Sequence, residues 1–144
     1  MKATHRMFLT ALALGLAGAA YAQNGLPPTQ TYGSVSFITG GVGLDESAAL
    51  KAAQKDYALS LLFVQTQRGE YLADVKVSIK DHAGETVLEA VSDGPMLLAK
   101  LPAGSYTVRA EHEGKVLVKT VRVAAKGVTR ASFVWQATAK ATIE

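Results

Sequence analysis

The stretch LPAGSYTV, Leu101 to Val108, decides the fold. In it an apolar residue, a proline and a glycine stand directly ahead of an alternating Tyr106, Val108 and Ala110. Leu101 closes a short strand by entering the core. Pro102 fixes φ and carries no N–H, so ladder pairing stops there. Gly104 permits the positive φ that a reversal needs. Tyr106 restarts the alternation with its ring in the core and its hydroxyl near the rim, where it finds a partner. The stretch is therefore a corner between strands, and that role outweighs a binding role for Tyr106.

On either side the pattern is β. In YLADVKVSIKD (71–81), Val75, Val77 and Ile79 fall on one side, with Asp74, Lys76, Ser78 and Lys80 on the other. DHAGE (81–85) is a hairpin turn with Gly84 at its tip. TVLEAVS returns, DGP (Asp93 to Pro95) turns, and MLLAKL makes a short strand ending at the corner. SYTVRAEH, the turn EGK, VLVKTVRVAA and TRASFVWQ complete the series. Short strands at regular spacing with turn signals between them indicate a sandwich.

Upstream, SVSFIT puts Val35 and Phe37 on one face of a short strand, and GGVG (40–43) is a flexible turn. LDESAALKAAQKDY is helical over about 45–57, with Asp45 as N-cap and acids in the first turn. Leu50, Ala53 and Tyr57 form its inward stripe, while Glu46, Lys51 and Lys55 face water. LSLLFVQ (59–65) is apolar enough for a central strand, and TQRGE turns after it.

The segment Tyr71 to Val123 resembles the carboxypeptidase regulatory-like, or prealbumin-like, β-sandwich domains. The likeness rests on a substituted strand, a hairpin, and a short strand ending in Leu-Pro-Ala-Gly-Xaa-Tyr. It implies a mainly β, prealbumin-like or Ig-like antiparallel sandwich of about seven strands, and almost nothing about activity. The helix-bearing segment 39–65 departs from the minimal domain and resembles an extension of small exported proteobacterial proteins with this domain.

The chain begins with a signal-peptide pattern over 1–22. Lys2, His5 and Arg6 precede the apolar run FLTALALGLAGAA, and AYA supplies small residues for cleavage between Ala22 and Gln23. The run is too short and too rich in Ala and Gly to be a bilayer span. The expected location is the periplasm or the medium, with no stable membrane insertion after cleavage. Residues 23–33, with two prolines, read as a linker, 34–136 as the sandwich, and 137–144 as a tail.

Composition excludes several functions. The chain carries 15 basic and 12 acidic residues. Removing Lys2 and Arg6 leaves 13 against 12, a net +1, which gives no warrant for nucleic-acid binding. Without cysteine there is no thiol catalysis, cysteine–zinc site or disulfide. His82 and His112 lie in or beside turns. Glu111 and Glu113 converge on one strand face while His112 points away, which is poor zinc geometry. Neither the tyrosine–histidine set of intradiol dioxygenases nor the Tyr-Arg-Gly-Ser terminus of transthyretin-related hydrolases is present. There is no G-x-S-x-G elbow, and GGVG lacks the Lys-Ser/Thr of a phosphate loop. Asn24, the sole asparagine, lies in the linker, so the sandwich has no Lys–Asn isopeptide bond. LPPTQ and LPAGS lack the Thr-Gly of a sortase signal.

The expected function is a non-catalytic exported module for protein–protein interaction in the bacterial envelope, with no cofactor and no metal. The alternative is carbohydrate recognition of an envelope polysaccharide through exposed aromatics, with Tyr71 or Trp135 as the platform. An enzyme with an unrecognised site ranks third.

Overall fold

Alternation of buried and exposed side chains makes the strands, and the places where it breaks send the chain from one sheet to the other. The computed structural model describes residues 25–66 and 70–136. The expected signal peptide, with its expected cleavage between Ala22 and Gln23, and the expected tail 137–144 lie outside the described residues. In chain order the elements are β1 (Gln30–Tyr32), β2 (Val35–Gly40), α1 (Leu44–Ala53), a 3-10 turn (Gln54–Asp56), β3 (Leu59–Gln65) and β4 (Glu70–Tyr71). They continue with β5 (Lys76–Asp81), β6 (Thr86–Val91), β7 (Met96–Ala99), β8 (Gly104–His112), β9 (Lys115–Val123) and β10 (Thr129–Trp135). Among the described residues, none forms a helix long and apolar enough to cross a membrane.

The strands form two sheets. One runs β6-β5-β8-β9 and is antiparallel throughout. The other runs β1-β2-β7-β3-β10, with β4 pairing the far end of β3. The fold is thus a mainly β sandwich with one α-helix near its start, as the sequence predicts. Two details differ. Ten strands stand among the described residues instead of about seven, because β1 lies inside the expected linker and pairs with β2, and β4 is only two residues long. One pairing is parallel: β10 runs beside β3 with Thr129 opposite Leu59 and Trp135 opposite Gln65. After β9 the chain does not form a hairpin. It crosses to the other sheet and enters beside the start of β3, where the Thr129 N–H donates to the Ala58 carbonyl at 2.8 Å.

The corner at Leu101 is also such a crossing, from β7 in one sheet to β8 in the other. Leu101 is buried, Gly104 has φ of +154°, and the Tyr106 ring is buried. Its hydroxyl donates to the Pro102 carbonyl at 2.7 Å, tying the strand back to the turn that precedes it. The β8–β9 hairpin closes through Glu113 and Gly114, both left-handed at φ +50° and +80°, the pattern of a two-residue twisted turn.

Between the sheets lies a continuous apolar core. It includes Leu59, Leu61, Phe63, Val75, Val77, Ile79, Leu88, Val108 and Phe133, all at or near zero exposure. Phe63, Phe133 and Trp135 form a ring cluster with centroids 6.0–6.3 Å apart. A second, smaller cluster sits outside the sandwich: Ile38, Met96 and Leu98 on the outer sheet face, covered by Leu50 of α1. Ala53 and Tyr57 pack against it, as expected.

The helix start differs from expectation. Gly43, at φ +89°, is the N-cap residue, and Asp45 lies inside the first turn. Glu46 does not simply face water. Its carboxylate accepts the N–H groups of Gly41 at 2.8 Å and Val42 at 3.3 Å, holding the glycine turn against the helix. Lys51 and Lys55 are exposed as predicted.

Candidate functional site

The outer face of the β10-containing sheet is only partly covered. Parallel register sets Arg130 beside Ser60, Ser132 beside Leu62, and Val134 beside Val64, while Tyr71 of β4 pairs Val64 from the other side. The helix covers the β2–β7 half of this face. Over β3 and β10 it leaves a groove of about 420 Å³. Its apolar lining is Leu44, Leu62, Tyr71, Pro95 and Met96, and its polar lining includes Lys51, Gln54, Ser60, Arg130 and Ser132. Leu44 is 88% exposed and Tyr71 67%, large apolar surfaces left in its lining.

The groove holds its cation in place. Gln54 donates from Nε2 to Ser60 Oγ at 3.1 Å, and Gln54 Oε1 accepts from Arg130 Nε at 3.1 Å. Arg130 is thereby laid along the sheet, and neither it nor Lys51 makes an ion pair among the described residues. No histidine or carboxylate lines the groove, so Ser47, Ser60 and Ser132 have no base to activate them there. The arrangement can hold a ligand by apolar contact and positive charge.

The two aromatic candidates part company. Tyr71 stands at the groove rim. Trp135 is 3% exposed, packed on Phe63 and Phe133, with Nε1–H donating to the Lys115 carbonyl at 3.0 Å, so it cannot be a sugar platform. It faces inward because the parallel register puts Thr129, Ala131, Phe133 and Trp135 on the core side of β10.

His82 is an exposed residue of the β5–β6 turn. His112 is no solvated turn residue: it packs edge-on against Trp135 at 5.9 Å, and its buried Nδ1 has no hydrogen-bond partner among the described residues. Glu113 leaves the strand at its left-handed turn and approaches His112 Nε2 at 3.9 Å instead of converging with Glu111. Among the described residues, none form a group of three or more metal-ligating side chains. Leu101, Pro102, Gly104 and Tyr106 form the corner, and none of them lines the groove.

Sequence reading misses Leu44, Gln54, Ser60 and Arg130 as groove residues. The alternation of Arg130, Ser132 and Val134 against Ala131, Phe133 and Trp135 is visible in TRASFVWQ. Its meaning depends on β3 as the neighbour, which lies far away in the chain.

Comparison with known proteins gives one family. The profile of the Rhizobiales growth-associated tandem repeat domain matches residues 58–131, which run from the start of β3 into β10. Among solved structures, the 5-hydroxyisourate hydrolase of Klebsiella pneumoniae aligns over 54% of this chain and 88% of its own, at 19% identity and a TM-score of 0.45. No curated protein matches the chain.

Proposed function

Because the chain belongs to the Rhizobiales growth-associated tandem repeat domain family, we propose that it is an exported, non-catalytic module that binds a partner protein in the cell envelope during growth. The observation that carries this reading is the groove over β3 and β10, with Leu44 and Tyr71 exposed beside it and no acid–base pair within it. Exposed apolar surface of this kind, rimmed by polar side chains, is the mark of an interaction site. The N-terminal signal pattern supports export.

The test is site-specific photo-crosslinking in a Rhizobiales host expressing the full chain. A benzophenone amino acid at position 71 should give a discrete protein adduct in the envelope fraction, and the same group at position 82 should not. An exported protein that gives no adduct from position 71 overturns the reading.

One observation favours a second reading. Tyr71 remains an exposed ring beside hydroxyl and amide groups, the elements of a sugar-stacking site. Saturable binding of soluble envelope glycan fragments that is lost in Tyr71→Ala would support that alternative.

A further inference from the structure

A sandwich has four edge strands, and this one protects three of them. β1 is only three residues long. β6 pairs through a bulge at Ile79/Lys80. β9 turns Lys119 toward the other sheet, with its ammonium 5.6 Å from the Phe133 ring centre. Short strands, bulges and inward lysines are the ordinary means of preventing strand addition. β10 has none of them within its own span, although β9 of the other sheet runs close beside its core side, where Thr129, Phe133 and Trp135 touch Arg122, Lys119 and Lys115. It is seven residues long and regular in register throughout.

The hydrogen bonds define which of its groups are free. Thr129 donates its N–H to Ala58, and the Trp135 carbonyl accepts from Thr66. In a parallel ladder this phase commits residues 129, 131, 133 and 135 to β3. The N–H and C=O groups of Arg130, Ser132 and Val134 therefore point away from β3, along the free edge, and the side chains of the same residues are exposed on the groove face.

We infer that the partner adds an extended segment to the free edge of β10, and that this segment carries an acidic residue and a branched apolar residue four positions apart on one face. This inference rests on the protein-binding reading above. The spacing follows from period two: one face of an added strand meets Arg130, Ser132 and Val134 in turn. Arg130, oriented by Gln54 and supported by Lys51 across the groove, selects the acid. Val134, 41% exposed, takes the apolar residue. Main-chain hydrogen bonds supply the affinity and these two positions the specificity, as in strand addition generally.

The probes are blocked heptapeptides, Thr-Glu-Thr-Ser-Thr-Ile-Thr and its reverse, each with a lysine-for-glutamate control, titrated into the full mature chain. One of the acidic peptides should bind saturably and protect the amides of Arg130, Ser132 and Val134 from exchange. Arg130→Glu should weaken that binding about fivefold or more and favour the lysine peptide. Ser132→Pro is the decisive variant, since it removes an edge donor without breaking the β3 ladder. It should fold, with an unchanged urea midpoint, and lose the peptide. Binding that leaves the β10 amides unprotected, or survives Ser132→Pro in full, overturns strand addition. So does the absence of binding by either acidic peptide. If the adduct from position 71 persists in those cases, the binding reading stands and only the strand-addition mode fails. If the adduct is also absent, both fall.

Discussion

The two faces of the β10-containing sheet are built from the same strands and serve opposite ends. On the inner face, Leu59, Leu61, Phe63, Leu97 and Phe133 meet the second sheet with no exposed area. On the outer face, Ser60, Leu62 and Val64 of β3 alternate with those residues, and a ten-residue helix covers only part of the row. The inner contact is long, aromatic and closed. The outer contact depends on Leu50 packed on Ile38, Met96 and Leu98, with Leu44 left in water. A covered face contributes to stability, whereas a half-covered face leaves room for a partner. Under the binding reading proposed above, stability and recognition divide between the two sides of one sheet.

The largest expected effects come from the sandwich interior. Tyr106→Ala should cost about 3–5 kcal/mol, since it empties a buried ring and removes the tie to Pro102. Lys76→Ala, on the exposed side of β5, should cost under about 0.5 kcal/mol. Urea unfolding of both variants checks the strand phase, and similar midpoints would refute it.

On the outer face, Leu50→Ala should cost about 2–3 kcal/mol, the lower part of the range for a buried leucine, because a helix at the surface can settle into the gap. Hydrogen exchange sharpens the comparison. In the wild type, amides of 46–57 should exchange faster than those of 75–79 and 106–110, and Leu50→Ala should widen the difference. Gly40, Gly41 and Gly43, all at positive φ, give the helix a hinge, although Glu46 and the Asp93 N–H bond to Thr39 Oγ1 tie that hinge down. Protection of the helix equal to that of the central strands would show that it is core, and that it does not lift.

How much of this was legible in the sequence depends on the range of each interaction. The corner at 101–106, the alternation of 75–79, the hairpin at Gly84 and the inward stripe of the helix all arise from neighbours in the chain, and all were legible there. The parallel pairing of β10 with β3 was not, because strand direction is decided by which sheet the chain enters after Val123, and residues 124–128 carry no signal for it. That pairing sends Trp135 inward and Arg130 outward. Alternation alone therefore offers Trp135 as a possible platform and leaves the groove cation hidden. The sequence points to Asp45 as the cap, whereas the glycine turn, bound by Glu46, starts the helix one residue before it.

The smallest effect separates the Tyr106 hydroxyl from its ring. Tyr106→Phe keeps the packing and loses one hydrogen bond, so it should cost about 1 kcal/mol at neutral pH. The same variant should change the response to alkali. Burial raises the Tyr106 phenol above the ordinary tyrosine value, and the charge of Asp81 adds to the rise. Above the unfolded value near 10, the folded state then holds more protons than the unfolded one. Stability from the neutral phenol is complete below that pH and declines as pH climbs through the folded value. Tyr57, also raised by burial against a lowering hydrogen bond from Thr29, contributes the same sense of slope and is unchanged in the variant. Urea midpoints measured from pH 8 upward should therefore fall less steeply for Tyr106→Phe than for the wild type. Parallel curves would mean that the phenol is not desolvated at the corner, and that the inner face of the fold is less closed there than its geometry implies.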